Sequence, residues 1–318
     1  MNAYNIERSI AAGQDIFDHL FDFVQKNADN MEAHEMEKAI FKKLLPLGQA
    51  AMKTYFAKKG TGDQGKEIQR EDGVILKKES GLRSKIYTSI FGAFPVPRTC
   101  YREAGEPGVF PLDEEVNMPK RSYSYYLQEW INQLSIDHSF AEGAERLNHW
   151  FGLSLVESVM VSVSRDGSRN YDEYYEQKEP PAVEEEGEIV AISFDGKGVP
   201  MIKSEAAQIQ AKLGKGEKRQ KKKEALVGVS YTVDKKERSA EDLAERLVHP
   251  EKYRARRGGK KKDEEEPKGK NVRRMASVKR SKEEVMTAMI QDVEKRDPRH
   301  SKPLVVLMDG ALGLWSLI

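Results

Sequence analysis

The chain is 318 residues long and 33% charged, with 53 Lys and Arg against 52 Asp and Glu and a formal net charge of +1. That length can bury a substantial core in two or three domains, and the near-neutral balance says nothing about nucleic acid as a partner. The single cysteine, Cys100, excludes an internal disulfide framework and any multi-cysteine zinc site. No apolar run approaches the ~20 residues of a membrane span and no basic-then-apolar leader opens the chain, so a cytoplasmic protein with no membrane partner is expected.

Residues 1–80 are expected to form a helical region and a linker. Ile16, Leu20, Phe21, Phe23 and Val24 make one apolar stripe. Met36, Ile40, Leu44, Leu47, Ala51 and Tyr55 make a second, which Pro46 is expected to kink. Such stripes serve as core or dimer contacts. Gly60 through Gly73 is polar and glycine-punctuated, as a linker is. Residues 81–121 form a small β-rich segment in which Ile86, Thr88 and Ile90 alternate and Gly92, Pro95 and Pro97 break the run. Its aromatics Tyr87, Phe91, Phe94 and Tyr101 suit either sheet packing or DNA contact.

In 122–180 the period returns to that of helices. Tyr126, Leu127, Trp130, Ile131 and Leu134 share a face. Ser139-Phe140-Ala141-Glu142 and Ser154-Leu155-Val156-Glu157 have the spacing of capping boxes, separated by a helix-breaking Gly152. Two capped helices across a glycine match a helix-turn-helix, although helical hairpins are also common scaffold. As a DNA reader the pair would present Ser154, Glu157, Ser158 and Ser162 near the start or exposed side of its second helix, with Arg165 and Arg169 meeting phosphates.

Residues 181–318 carry the clearest chemistry. Ile189 through Phe194 runs into Asp195-Gly196, and Leu304 through Met308 runs into Asp309-Gly310. The second run, between Pro303 and Gly310, suits a strand covered on both faces. Asp-Gly also simply makes tight turns, and 194–201 reads equally as a hairpin tip returning through Val199 to Ile202. Between the two runs lie a strand-like Ala225 through Val233 and a helix opened by the capping box Ser281-Lys282-Glu283-Glu284 and closed by Asp297-Pro298. Residues 234–280 read as an insertion with a short helix over Ser239 to Val248 and then a basic, apolar-poor loop. That charge run is either solvated or in contact with phosphate.

Phe-Asp-Gly-Lys-Gly-Val-Pro-Met at 194–201 and Val-Val-Leu-Met-Asp-Gly-Ala-Leu-Gly-Leu-Trp at 305–315 resemble the acid-bearing segments of bacterial insertion-sequence transposases of the Kra type. Pro111-Leu112-Asp113, Met118-Pro119, Tyr123-Ser124 and Ser139-Phe140-Ala141-Glu142 resemble the upstream half of the same family, so the likeness covers roughly 81–315. It implies a multidomain α+β protein: a helical N-terminal part with a helix-turn-helix, then a partial RNase H-like α/β domain. It implies an enzyme of the DDE type that cleaves and transfers DNA strands at double-stranded insertion-sequence ends and target DNA, and that works as a homo-oligomer when full-length.

Two Mg²⁺ ions about 4 Å apart activate water and stabilise the leaving 3′ oxygen in such enzymes, and Mn²⁺ substitutes for them. Hard ions take carboxylate oxygens, which makes Asp195 and Asp309 the candidate catalytic and metal-binding residues. The third acid is not evident. Gly310 through Ile318 holds no Asp, Glu or His, and Glu283 and Glu284 are explained as helix-start residues, so the chain reads as truncated by a frameshift or early stop and inactive as it stands. A non-catalytic DNA-binding regulator of transposition and an RNase H-like nuclease are the other two readings.

Overall fold

The computed structural model describes residues 6–201, 222–249, 267–308 and 312–317. The protein is mixed α+β, with two open sheets, and divides into two compact units, Met1–Glu176 and Gln177–Ile318. The segments expected at 1–80 and 81–121 fall in the first unit, together with 122–176 of the segment expected at 122–180.

That unit begins with a helical hairpin, α1 (Ile6–Asn27) and α2 (Ala33–Lys59). Helix α2 continues through Pro46. Three antiparallel strands follow in the order β1 (Glu67–Gln69), β2 (Ile75–Ser89) and β3 (Gly92–Arg102). Two expectations need correction here. The stretch from Gly60 to Gly73 is no linker, because it contains β1 and because Thr61 and Tyr101 tie its start to the sheet through Thr99, Gln64 and Gly65. Nor do Pro95 and Pro97 break a strand. They sit inside β3, opposite Ile86 and Ser84, and β3 is an edge strand, where a missing amide donor is tolerated.

Phe56, Phe94, Val96, Leu112 and Met118 form the core beneath the sheet. The Pro111-Leu112-Asp113 motif is structural: it opens the short helix α3 (Pro111–Glu115), Leu112 is buried, and Asp113 holds Arg98 of β3 in an ion pair. Aromatic Phe94 and Tyr101 are buried and Tyr87 packs edge-on against Phe56, so these rings build the core. Helices α4 (Tyr125–Asp137), α5 (Phe140–Phe151) and α6 (Glu157–Gly167) share a second core of Leu127, Ile131, Leu147, Leu155, Met160 and Val163. Helix α7 (Tyr171–Gln177) ends at the boundary between the units.

The second unit is a four-stranded sheet in the order β6-β5-β4-β7, made of β4 (Ile189–Pro200), β5 (Lys222–Val233), β6 (Lys270–Ser277) and β7 (Leu304–Met308). The first three are antiparallel neighbours, and β7 lies parallel to β4. The order of strand, strand, strand, helix, strand is as expected, but the third strand differs. Strand β4 runs on through Val199 and does not turn back there, and the third strand is β6, in a segment expected to be insertion loop. Its alternation is masked in sequence by Arg273 and Arg274. The helix α8 (Ala240–Val248) has Ser239 as its N-cap, and the basic stretch 250–266 lies outside the described residues.

Helix α9 (Lys282–Arg296) crosses between β6 and β7, and its Ser281/Glu284 capping box is formed in both directions. It buries Val285, Met286 and Met289 against Ile192, Phe194, Leu226 and Met275. Gly228 makes this approach possible, since a Cβ there would lie 2.8 Å from Met289 Cγ. The short helix α10 (Leu312–Trp315) adds Leu314 to the same core. Strand β7 is therefore covered on one face only among the described residues. Val306 and Met308 pack on the core, whereas Val305 and Leu307 are exposed, contrary to the expectation of a strand buried on both sides.

A buried charged cluster anchors the C-terminal end of α9. Arg296 donates to Glu186 at 2.6 and 2.8 Å, Thr232 donates to the same carboxylate, and Asp292 accepts from Ser230 and Arg273. Burial alone would raise the Glu186 carboxyl, but the hydrogen bonds from Arg296 and Thr232 and the Arg296 charge outweigh it and hold it below the usual glutamate value. Stability from this group is therefore complete above the unfolded value and is lost as pH falls through the lower folded one. Glu186→Gln is expected to cost about 3 kcal/mol in urea unfolding at neutral pH, and to weaken the acid dependence of the midpoint. An unchanged midpoint would mean that the pair does not hold the helix.

Candidate functional site

Asp195 owes its position to strand parity. Val190, Ile192 and Phe194 are buried toward α9, and successive side chains of a strand point to opposite faces, so Ala191, Ser193 and Asp195 belong to the other face. There the Asp195 side chain is exposed, and no described residue hydrogen-bonds or ion-pairs with its carboxylate. It does not end its strand, as its sequence suggests. Strand β4 continues for five residues to Pro200, with Asp195 opposite Val227 and Gly196 opposite Leu226 in β5. The dipeptide is neither a strand end nor a hairpin tip, because the paired backbone of β5 holds it extended.

On the other side of β4 the parallel register joins Val190 to Leu304 and Phe194 to Met308. Asp195 follows Phe194 in the chain and Asp309 follows Met308. Asp309 itself lies outside the described residues. A further carboxylate, Glu224, sits on the α9 face next to Gly196 and is engaged by Lys282 at 3.0 Å. Among the described residues no three His, Cys, Asp or Glu side chains converge as a metal site would need. Asp195 is a hard oxygen donor of the kind that Mg²⁺ or Mn²⁺ accepts, but one carboxylate does not make a site.

The helix pair in the first unit differs from expectation at its turn. Ser139 caps α5 by accepting from the Glu142 amide at 3.3 Å, without the reciprocal half of a capping box. Gly152 ends that helix in the left-handed conformation, φ 63°. Ser154 caps nothing: α6 starts at Glu157, behind Val156, with no side-chain cap. Asn148 does the work instead, donating to the Leu155 carbonyl at 2.8 Å and accepting from its amide at 2.7 Å. This clamp fixes the turn, and nothing in the local spacing of the sequence announces it.

Of the six residues expected to meet DNA, Ser154 is exposed in the turn, and Glu157, Ser158 and Arg165 are exposed on α6. Ser162 is committed within the protein, accepting from Arg121 Nη1 at 3.0 Å, and Arg169 pairs with Asp166 at 2.9 Å. Arg121 also pairs with Asp166 and donates to the Ser162 carbonyl, so it orients α6 from the segment before α4. Among the described residues no helix is long and apolar enough to cross a membrane.

The chain matches no model of a known protein family and no curated protein. Asn148→Ala is expected to lose about 2 kcal/mol by chemical denaturation, since it strips both partners from a part-buried backbone segment, whereas Ser154→Ala and Asp195→Asn should stay within about 0.5 kcal/mol of the parent. A large loss for Ser154→Ala would restore it as a cap.

Proposed function

We propose that the protein is a DNA-strand-cleaving transposase of the DDE type, with Asp195 and Asp309 as its metal-binding carboxylates and the α5–α6 pair as a helix-turn-helix for double-stranded DNA. One observation carries the reading. Three antiparallel strands, a crossing helix and a fourth strand parallel to the first follow the order an RNase H-like half-sheet would have, which supports the reading, and in the two parallel neighbours the paired residues Phe194 and Met308 each precede an aspartate.

A pair of carboxylates carried by neighbouring parallel strands would bind Mg²⁺ or Mn²⁺, which when bound supplies an activated water and charge stabilisation at the departing 3′ oxygen. The chain's own contribution is rigidity. The β5 pairing holds the Asp195 backbone on one side, β7 pairs with β4 up to the residue before it, and among the described residues the carboxylate is exposed, available to an ion or a phosphodiester. Exposed Arg165 and the N-terminal side chains of α6 are disposed to contact a duplex, as the second helix of such a motif does. The unassigned element is a third acid to complete the set.

The test is cleavage of the terminal DNA of the encoding element in Mg²⁺ or Mn²⁺. Asp195→Asn is expected to lower cleavage by at least about 100-fold while duplex affinity is kept, and Arg165→Ala is expected to weaken duplex binding by about 1 kcal/mol with a shallower salt dependence. Strand transfer of the released ends distinguishes a transposase from an RNase H-like nuclease. Specific binding with no cleavage by the parent would identify a non-catalytic DNA-binding regulator, and cleavage indifferent to Asp195→Asn would remove Asp195 from the site.

A further inference from the structure

We infer that a tyrosine-lined pocket in the first unit takes an unpaired nucleobase of a DNA strand. The pocket lies between α2, β2, the end of α3 and the start of α4, and encloses about 340 Å³. That volume suits a small planar ligand. Its inner side belongs to the core beneath the sheet: Phe56 is buried, and the half-buried Tyr87 stands edge-on to it with ring centres 5.2 Å apart. Its outer side does not. Tyr55 is 43% exposed and Tyr125 and Tyr126 54% each, so three phenol rings border the opening.

Asn117 lines the same pocket and closes α3. Its backbone is left-handed, φ 46°, with its own amide donating to the Glu114 carbonyl at 3.2 Å and the Met118 amide donating to the Asp113 carbonyl at 2.7 Å, the pattern of a Schellman motif. Glycine is the usual residue there, because it has no Cβ to strain. Asparagine adds an amide that both donates and accepts. No described residue hydrogen-bonds to that side chain, nor to the hydroxyls of Tyr55, Tyr125 and Tyr126.

The occupant follows from this lining. Aromatic faces, hydrogen-bonding groups of both kinds and no charged side chain among the described lining residues suit a neutral planar heterocycle with donors and acceptors on its edge. Every base has a face to stack, and an asparagine amide pairs with adenine through two hydrogen bonds. A quaternary ammonium, another guest of aromatic rings, would meet no carboxylate in the lining. A proline-rich peptide docks along a groove, whereas this is a single concavity. Only a base outside a duplex can enter it. Lys120 follows Pro119 of the lining, is exposed and has no partner among the described residues, which offers a cation to the strand's phosphate. The next residue, Arg121, holds α6 through Ser162 and Asp166, so the pocket and the helix proposed to read duplex DNA share one support.

This inference rests on the reading of the first unit as DNA-binding and not on the aspartates of the second. The experiment is fluorescence anisotropy on the full chain with an end-labelled oligodeoxyadenylate beside an abasic strand of equal length. The parent is expected to bind the base-bearing strand about tenfold more tightly. Tyr125→Ala/Tyr126→Ala should bind the two strands alike, and Tyr125→Phe/Tyr126→Phe should keep most of the difference. Asn117→Gly, which suits the left-handed backbone and keeps the turn, is expected to weaken binding of the base-bearing strand about threefold. Duplex affinity should stay the same in all three variants. A parent that binds no duplex would sink the DNA reading itself; one that binds duplex but has no preference for bases would sink the pocket alone. An alanine pair that keeps the preference would also overturn the proposal, and if that pair loses helical signal, an unaltered preference in Asn117→Gly does so instead. Tight competition by adenosine monophosphate would make this a free-nucleotide site, and displacement of the strand by a proline-rich peptide would make it a peptide groove; either result overturns the proposal.

Discussion

The contact that the second unit depends on is the seat of α9 on β4 and β5. It exists because position 228 has no side chain: Met289 occupies the space a Cβ would need, with Phe194 beside it. Once Ile192 and Phe194 are drawn into that seat, parity leaves no freedom for Asp195, which must face away from the helix. Shifting β4 by one residue would bury the carboxylate among methionines and expose Phe194, at a cost of several kcal/mol. The hydrophobic core thereby sets the orientation of the exposed Asp195 side chain.

The helix is fixed along its length as well as against the face. At its C-terminal end Arg296 is locked to Glu186, just before β4, and that carboxylate also accepts from Thr232, near the end of β5. At its N-terminal end the Lys282 ammonium meets Glu224, opposite Gly198 in β4. The two are unequal. The exposed Lys282–Glu224 pair contributes little, whereas the buried cluster is costly to break on one side because its partner is then left charged and desolvated. Lost packing at Gly228 and lost charge at Glu186 therefore threaten the same helix by different routes.

Local signals in the sequence were reliable where the chemistry is local. The Ser281/Glu284 box, the helical spacing from Val285 to Val293 and the three apolar strand runs need only neighbouring residues, and the corresponding elements are present. Non-local facts were hidden. Asp195-Gly196 looks like a turn until β5 pairs with it, and β6 looks like a charged loop until Met275 finds the core and Arg273 finds Asp292. Ser154 has the spacing of a cap, but Asn148, seven residues before Leu155, holds the backbone in a path that starts α6 two residues late. In each case a tertiary partner overrode a correct local preference.

The same rule bears on how the helix pair would meet DNA. Ser162, on α6, and Arg169, just beyond it, have partners in Arg121 and Asp166, and the Arg121 contacts to Ser162 and Asp166 hold α6 in place. What remains for a partner is a short exposed face, with Glu157 and Ser158 at its start and Arg165 two turns on. An acid at the N-terminus of α6 favours the helix dipole yet repels phosphate, so the end of the helix that carries Glu157 suits a base edge better than a backbone. Arg165 is then left to supply the electrostatic attraction, and orientation on the duplex would be set by which end of α6 each kind of contact occupies.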